Sequence, residues 1–292
     1  MTAPIPNPPS ASPAPLGAGD LAAEITTQLS TQLRRVRLRG FRPPGPAAPT
    51  LVAVAHGSRD PRALPTIRAL LDRVRALRPG LPVRLGHIEL NRPLLTDTLG
   101  ELRGEVVLVP LLFGHGHHVT HDLPAALAAA PHLAGRTAAP LGPHPLLAEA
   151  LHGRLLEAGA ASGRGTTAVI LAAAGSRAAR SARDTEQTAH LLSARLGGLP
   201  VVPAYASAAA PTVTEAARAL AARGHHRIAV AGCFTAPGRF ATQCAEAAPG
   251  IAAAPLGDHP ALARLVLHRY DQALLTRTGS DSETIRAATV AV

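Results

Sequence analysis

An internal repeat constrains the fold of this chain more than any other feature of its sequence. The segment VAVAHGSR at 52–59 has a counterpart in AVILAAAGSR at 168–177, with the Gly-Ser-Arg triplets 118 positions apart. PLGPHP at 140–145 is matched by PLGDHP at 255–260, 115 positions later. Duplication of one unit is the simplest explanation, so we predict two similar halves with a cleft between them.

A third pair of segments lies between these repeats. RIAVAGCFTAPGRF at 227–240 stands where VVLVPLLFGHGHHV stands at 106–119. In both, a short apolar run precedes a loop interrupted by Gly or Pro, which is typical of a central parallel strand and its exit. Each half is therefore predicted to contain a buried strand that ends in a loop at the cleft.

Strand and helix patterns alternate along the first half. LVAVA at 51–55 predicts a buried strand, and the turn HGSRDP follows it. Apolar residues then recur at helical spacing: Leu64, Ile67, Leu71 and Val74. Further strands are predicted at Leu81–Ile88, Val106–Leu112 and Thr137–Leu141, with helices opened by Asn91-Arg92-Pro93, starting near Thr120, and at Pro145–Ala158. This order predicts an α/β fold made of two duplicated, doubly wound parallel-sheet halves.

Composition and repeat boundaries together predict the organisation of the chain. It consists of a disordered Pro/Ala-rich extension at 1–49, a first half at 50–160, a linker at 161–166, a second half at 167–275 and a tail at 276–292. Within the extension, Leu21–Leu38 could form one short helix, although its apolar face is thin.

The charge of the chain is strongly positive. All 29 basic side chains are Arg, and the net charge is +10. This excess favours a polyanionic partner, either nucleic acid or a small molecule with several carboxylates. With no Trp, two Tyr and four Phe, the chain lacks the aromatic residues on which bases stack, so we predict no nucleic-acid partner.

The two cysteines, Cys233 and Cys244, are too few for a disulfide scaffold or a four-Cys cluster. No apolar run approaches the roughly 18 residues that a membrane span requires, and the N-terminus shows no signal-peptide pattern. We therefore predict a soluble cytoplasmic protein without a membrane partner.

Polar residues follow three predicted strands of the first half at their carboxyl ends. His56 follows the first strand, Glu89 the second, and a histidine-rich loop the third. That loop contains His115, His117, His118, His121 and Asp122. Because such strand ends are neighbours in space, two imidazoles and a carboxylate could together bind a first-row divalent metal ion.

Each of these residues also has a structural explanation when taken alone. His56 could cap the following turn, Glu89 could pair with Arg92, and the loop could bind metal ions adventitiously. Ser58 and Asp60 resemble a helix start. His87, which alternates with Glu89 along the strand, is predicted to be structural.

The second half serves as an internal control for these alternatives. At the positions that match His56 and Glu89 it has Ala174 and Ser207, and at the position of His118 it has Arg239 or Phe240. The glycines and serines of the turns persist while the candidate ligands are absent. This pattern favours a shared function for the three residues of the first half.

Three ordered motifs of the first half are HGSRDP after the first strand, the HIELNRP segment around Glu89, and VPLLFGHGHHVTHDLP at 109–124. Together, at this spacing, they resemble the CbiX/SirB class of sirohydrochlorin chelatases, relatives of the class II chelatases that include ferrochelatase. The last motif corresponds to a family pattern of Val-Pro, Gly-x-His-Val and Asp-Leu-Pro, and it selects His118 among the four histidines. The resemblance covers residues 51–160 strongly and residues 167–275 as a degenerate copy.

The resemblance implies insertion of a divalent metal into sirohydrochlorin, a tetrapyrrole with eight carboxylates. It implies that His56, His118 and Glu89 are the catalytic and metal-binding residues, with Asp122 either orienting His118 or capping the helix. Fe²⁺, giving sirohaem, is expected ahead of Co²⁺, and Ni²⁺ suits the same ligands. The metal is a substrate, and no tightly bound cofactor is expected.

Arginines are expected to bind the carboxylates of the substrate, because the guanidinium group pairs with carboxylate through two parallel hydrogen bonds. The candidates are Arg59 and Arg92, with Ser58 on the tetrapyrrole side and Arg239 reaching over from the second half. Since one chain contains both halves, a monomer is expected. The alternative is a His-rich metal carrier without tetrapyrrole chemistry.

Overall fold

The computed structural model describes Gln28, Ser30, residues 48–160 and residues 165–289, with residues 277–289 described by their backbone alone. The predicted extension at 1–49 and linker at 161–166 therefore lie almost wholly outside the described residues. Of the predicted helix at Leu21–Leu38 only Gln28 and Ser30 are described, and both are helical. Residues 48–292 form one compact unit, which contains both predicted halves.

The first half is a four-stranded parallel sheet with helices between its strands. Its elements are β1 (Thr50–Ala55), α1 (Ala63–Leu77), β2 (Val83–His87), α2 (Leu95–Glu101), β3 (Gly104–Pro110), a π-helical turn (His118–Asp122), α3 (Leu123–Ala128), β4 (Leu133–Thr137) and α4 (Pro145–Glu157). The strand order is β2-β1-β3-β4, so β1 and β3 lie in the middle. Because these two central strands are parallel, their carboxyl ends lie side by side at the same end of the sheet.

The second half repeats this arrangement. Its elements are β5 (Ala168–Ala173), α5 (Ala179–Arg195), β6 (Val201–Tyr205), α6 (Val213–Ala221), β7 (Ile228–Gly232), α7 (Arg239–Glu246), β8 (Ile251–Ala252) and α8 (Pro260–Thr289). The strand order β6-β5-β7-β8 is that of the first half, and every pairing is parallel. The predicted α/β fold with duplicated parallel sheets is confirmed. Helix α8 continues through the predicted tail at 276–292 as far as Thr289.

The apolar patterns of the sequence explain the core. Leu51 to Val54 of β1 are completely buried, and α1 buries Ile67, Leu71 and Val74 as predicted. Each fully buried Leu, Ile or Val side chain contributes roughly 1.5–3 kcal/mol on burial. One hydrophobic cluster includes residues of both halves, and α8 packs on α1 and α4 of the first half. The two halves therefore share a core and face each other in a fixed way.

The predicted bounds of the fourth strand are wrong. The fourth strand is Leu133–Thr137 and not Thr137–Leu141. Ala138 and Leu141 are buried in the loop that follows, where their N–H groups donate to the carbonyls of Leu108 and Leu112 at 2.8 and 2.7 Å. The apolar run therefore marks a buried loop, whereas the strand itself lies at the edge of the sheet and is largely exposed.

The second helix begins at Leu95, after Pro93 rather than with it. Its first turn is closed by Asp97, whose carboxylate accepts the N–H of Leu94 at 3.2 Å. Within the described part of the chain, no helix combines the length and the apolar character that a bilayer span requires.

Candidate functional site

A cleft of about 800 Å³ lies between the carboxyl ends of the two sheets. Its walls include the loops after β1, β2 and β3 on one side and the loops after β5 and β7 on the other. This volume falls within the range of roughly 300–1,000 Å³ found for small-molecule sites. The predicted cleft between the halves is confirmed.

The loops of the two halves meet across the cleft in a symmetric way. Ser58, after β1, donates through Oγ to the carbonyl of Pro237 at 3.3 Å, and Ser58 Oγ would lie 3.0 Å from a Cβ added at Gly238. On the other side of the cleft, Oγ of Ser176, after β5, would lie 3.6 Å from a Cβ added at Gly116. The first loop of each half therefore packs through its serine side chain against a glycine in the third loop of the other half.

A glycine with positive φ brings His56 and Glu89 together. Gly57 has φ of 107°, and a Cβ there would collide with the carbonyl of Glu89. The N–H of Glu89 in turn donates to the carbonyl of His56 at 3.0 Å. The backbone itself therefore joins the two strand ends that carry these candidate residues.

The second half has the same backbone device without the same side chains. Gly175 has φ of 92°, a Cβ there would collide with the carbonyl of Ser207, and the N–H of Ser207 donates to the carbonyl of Ala174 at 3.0 Å. These contacts place Ala174 and Ser207 at the positions of His56 and Glu89, as the sequence alignment does.

His118 begins the π-helical turn after β3, two residues earlier than the predicted helix start. The N–H of Thr120 donates to the carbonyl of Gly116 at 3.2 Å, and that of Thr242 donates to Gly238 at 2.9 Å in the second half. This correspondence places Phe240, rather than Arg239, at the position of His118. The phenyl ring therefore replaces an imidazole in the second half.

Asp122 contacts His118 as the spacing of four residues predicts. The Nδ1–H of His118 donates to Oδ2 of Asp122 at 2.6 Å. Because Nδ1 carries the proton in this bond, Nε2 has the lone pair and is the nitrogen available to a metal or a proton. The contact supports the orienting role for Asp122.

The structure brings the three predicted residues to one place in the cleft wall. The rings of His56 and His118 lie edge to face with centroids 4.8 Å apart, and Nδ1 of His56 is 3.6 Å from Oε1 of Glu89. All three side chains are partly exposed. Among the described residues, no group of three or more His, Cys, Asp or Glu side chains converges tightly enough to enclose a metal ion.

The other three histidines of the loop have different surroundings. His115 contacts Asp184 of the second half, with its backbone N and its Nδ1 each 2.8 Å from Oδ2. His117 and His121 stack on each other, with ring centroids 4.6 Å apart. His117 is 3.5 Å from Asp122, and Nδ1 of His121 contacts Thr120 at 2.7 Å. The sequence could not distinguish these roles.

The candidate arginines separate into two groups. Arg59 and Arg239 line the cleft from opposite halves, and the guanidinium of Arg239 lies 4.6 Å from the centroid of the Phe240 ring. Arg92 lies outside the lining and donates to Asp97 at 2.6 Å. The structure therefore does not bring Arg92 to the site, and it does not pair Arg92 with Glu89.

Four groups that line the cleft or lie close to it have shifted pKa values. The Arg62 guanidinium hydrogen-bonds the Asp60 carboxylate and lowers the pKa of Asp60 to about 2. His87 is buried and contacts the carbonyl of Pro93 at 3.1 Å, and burial lowers its pKa. Its structural role stays a prediction, which this contact supports. Burial raises the pKa of Cys233 to about 12 and that of Cys244 to about 11, so both are neutral thiols.

Sequence reasoning missed three polar residues near the site. Asn91 accepts the N–H of Ser58 through Oδ1 at 2.6 Å, and Thr235 donates across the cleft to the carbonyl of Leu111 at 2.8 Å. Asp184 binds His115. The position of Asn91, two residues after Glu89 in the loop that follows β2, was an available signal. The other two contacts depend on how the halves face each other.

Two parallel-sheet halves with facing strand ends, and histidines on one side of the cleft, define a protein of the chelatase fold. The sequence profile of the CbiX family matches residues 50–158 and matches again at residues 168–273. The chain therefore belongs to the CbiX family. The second match confirms the internal duplication.

Curated relatives share modest identity with the chain. The sirohydrochlorin cobaltochelatases of Methanococcus aeolicus and Methanothermobacter thermautotrophicus are 27% and 30% identical over 81 residues. Each alignment covers 26% of this chain. This chain spans 57% of the length of the first relative and 56% of the length of the second. A third, from Methanococcoides burtonii, is 25% identical over 123 residues, 37% of this chain and 94% of the relative.

Solved structures share the fold over most of the described chain. SirB from Bacillus subtilis with Fe³⁺ superposes with a TM-score of 0.64 at 20% identity, covering 79% of this chain and 97% of SirB. CbiX, described as the terminal enzyme of sirohaem biosynthesis in denitrifying bacteria, gives 0.60 at 23% identity, covering 77% of this chain and 99% of that one. At these identities the likeness shows the fold.

Proposed function

We propose that this protein is a sirohydrochlorin chelatase that inserts a divalent metal ion into the tetrapyrrole. The observation that carries the proposal is the edge-to-face pair of His56 and His118, 4.8 Å apart in the wall of a ligand-sized cleft. Family membership and the names of the curated relatives support the same reaction.

Metal insertion exchanges two pyrrole N–H protons for one divalent ion, so the site must bind the metal and accept two protons. Nε2 of His118 has the lone pair required for either task, because Asp122 holds the proton on Nδ1. His56 lies beside it, and Glu89 is the nearby carboxylate that completes metal binding and carries protons away. The two imidazoles divide these tasks, since one nitrogen cannot do both at once.

The cleft also offers cationic groups for the substrate carboxylates. Arg59 and Arg239 line it, one from each half, and each can pair with a carboxylate through two parallel hydrogen bonds. Ser58 lines the same wall. Arg92 is already paired with Asp97 and has no part in this proposal.

The relatives differ in the metal that their names or structures include. The curated sequences are named cobaltochelatases, whereas SirB structures contain Fe³⁺ or cobalt. Two imidazoles and a carboxylate suit Fe²⁺, Co²⁺ and Ni²⁺ alike. We keep Fe²⁺ as the expected substrate, with Co²⁺ as the competing one.

The test is the absorption spectrum of sirohydrochlorin mixed with the purified chain and either Fe²⁺ or Co²⁺. The spectrum should change faster than in the spontaneous reaction, with at least one metal. No acceleration with either metal would contradict the proposal. Tight Co²⁺ binding without acceleration would instead indicate a metal carrier.

One chain is proposed to suffice for the reaction, because both walls of the cleft come from the same polypeptide. Sedimentation of the active protein should therefore give the mass of a single chain. Activity confined to a larger species would contradict this. The cytoplasmic location stays a prediction.

A further inference from the structure

The second half contributes a buried carboxylate to the loop that carries His118. Asp184 lies on α5 and is only 8% exposed. Its Oδ2 accepts the backbone N–H and the ring Nδ1–H of His115, each at 2.8 Å. Unlike His118, His115 is not part of the cleft wall. This contact therefore joins the halves next to the cleft rather than within it.

The loop around His115 is packed against α5. A Cβ at Gly114 would lie 3.0 Å from Ser181 Oγ and 3.4 Å from Asp184 Oδ2, so a glycine permits the approach. The N–H of Gly116 donates back to the carbonyl of Gly114 at 2.9 Å, and the carbonyl of Gly116 accepts from Thr120. A continuous chain of contacts thus runs from Asp184 to the turn that begins at His118.

The contact exists only on the side of the molecule that carries the histidines. Gly57 matches Gly175, so the counterpart of Asp184 in the first half is Thr66. Gly116 matches Gly238, so the counterpart of His115 in the second half is Pro237. The hydroxyl of Thr66 donates to the carbonyl of Arg62, one turn earlier in the chain, at 2.8 Å. The shared fold therefore does not require the His115–Asp184 pair.

We propose that Asp184 is a positioning residue that sets the location of His118 in the cleft by holding His115. A single carboxylate oxygen that accepts from both the backbone and the ring fixes the loop and the side chain of His115 together. The inference rests on the proposed function, since metal insertion is what makes the location of His118 matter. The apparently silent half would thus act on the site of the other.

The first test compares Asp184→Ala and Asp184→Asn with Asp271→Asn. Asp271 of α8 also pairs across the halves, with Arg78 at 2.5 Å, and it lies outside the cleft wall. Asp184→Ala should lower kcat about tenfold and leave KM for sirohydrochlorin within about twofold, because a displaced catalytic group slows chemistry more than binding. Asp184→Asn should lose less, and Asp271→Asn should match the wild type.

The second test combines Asp184→Ala with His115→Ala. If Asp184 acts through His115, the His115 substitution should reduce kcat in the wild type and have no further effect in the Asp184→Ala background. Losses that simply multiply would overturn the proposal. So would an unchanged kcat in Asp184→Ala, or a change confined to KM.

NMR of the His118 ring tests the positioning role of Asp184 without measuring chelatase activity. The ring ¹⁵N signals of His118, assigned by their loss in His118→Gln, should shift in Asp184→Ala and not in Asp271→Asn. Unshifted signals would overturn the positioning role even in an active enzyme. A wild type without chelatase activity, but with the shift, would reject the proposed function alone. Asp184→Asn, which keeps the side-chain shape, serves if Asp184→Ala does not fold.

Discussion

The two halves of this protein have the same strand order and the same turns but different side chains at the strand ends. His56 and Glu89 are joined through Gly57 in the first half, and Ala174 and Ser207 are joined through Gly175 in the second. The glycines persist because the carbonyl of the neighbouring strand end leaves no space for a Cβ. The imidazole of His56 and the carboxylate of Glu89 have no counterpart in the second half, so this fold does not need them.

The comparison separates two kinds of residue that a single domain would leave mixed. What both halves keep, such as Ser58 and Ser176 against the facing glycines, supports the fold. What only the first half keeps is a candidate for chemistry. The following predictions test this division, starting with the largest expected effect.

Replacing His118 should have the largest effect on activity. We expect His118→Ala to reduce metal insertion roughly 100-fold or more, because the proposed mechanism needs His118 to bind metal or accept a proton. His121→Ala in the same loop should stay near the wild type, since that ring stacks on His117. Initial rates with sirohydrochlorin and Co²⁺ measure both. Equal losses would show that the wrong histidine was selected.

Glu89 and Ser207 form a matched pair at equivalent positions. Glu89→Ala should reduce kcat on the order of tenfold to a hundredfold, because the carboxylate that the proposal assigns to metal binding and proton removal is lost. Ser207→Ala removes only a hydroxyl that donates to the carbonyl of Ala174 at 3.1 Å and should leave kcat unchanged. The same assay at saturating metal compares them. A loss in Ser207→Ala as large as in Glu89→Ala would break the comparison of the halves.

Arg59 and Arg177 occupy equivalent positions after β1 and β5, and only Arg59 lines the cleft. Arg59→Ala should raise KM for sirohydrochlorin about tenfold, since a charge-assisted hydrogen bond contributes about 1.5 kcal/mol. Arg177→Ala should leave KM unchanged. Steady-state kinetics at varied tetrapyrrole concentration provide the measurement. An unchanged KM in Arg59→Ala would remove it from the substrate site.

The smallest effect concerns stability, which the halves should share. His144 and His259 start equivalent helices, and each accepts a backbone N–H through Nδ1. Burial, with Arg269 and His268 nearby, lowers the pKa of His144 to about 4, and burial also lowers that of His259.

Because the unfolded chain binds protons on these histidines first, the free energy of unfolding should fall as pH decreases from about 6.5 to about 4. His144→Asn keeps a capping acceptor without titrating and should make this decrease shallower. Urea unfolding at pH 7 and pH 5 measures the slope. The same slope in the variant would assign the decrease to other groups.

Strands and helices could be predicted from the sequence wherever the spacing of apolar residues matched the side chains that are buried in the structure. LVAVA at 51–55 and the apolar face of α1 were placed correctly because both are buried as their patterns require. The edge strand Leu133–Thr137 was missed because only one side of it is covered, so its side chains show no apolar run. The neighbouring loop is more apolar because it lies in the core.

The candidate site was predictable as far as strand ends determine it. His56, Glu89 and His118 meet because β2, β1 and β3 are adjacent and parallel. Arg92 lies near Glu89 in sequence, but in the structure it pairs with Asp97 instead. The contacts of Asp184 and Thr235 cross between the halves, and no local pattern encodes which loops face each other.

The equivalence of the two turns has a consequence for protein design. At 174 and 207 the backbone makes the same contacts that join His56 and Glu89 in the first half, and near 240 it shares the first hydrogen bond of the turn that carries His118. The turn at His118–Asp122 is π-helical, whereas Arg239–Glu246 is α-helical. Ala174→His, Ser207→Glu and Phe240→His would therefore place the same side-chain types at equivalent positions of the second half, which makes that half a starting frame for a second site.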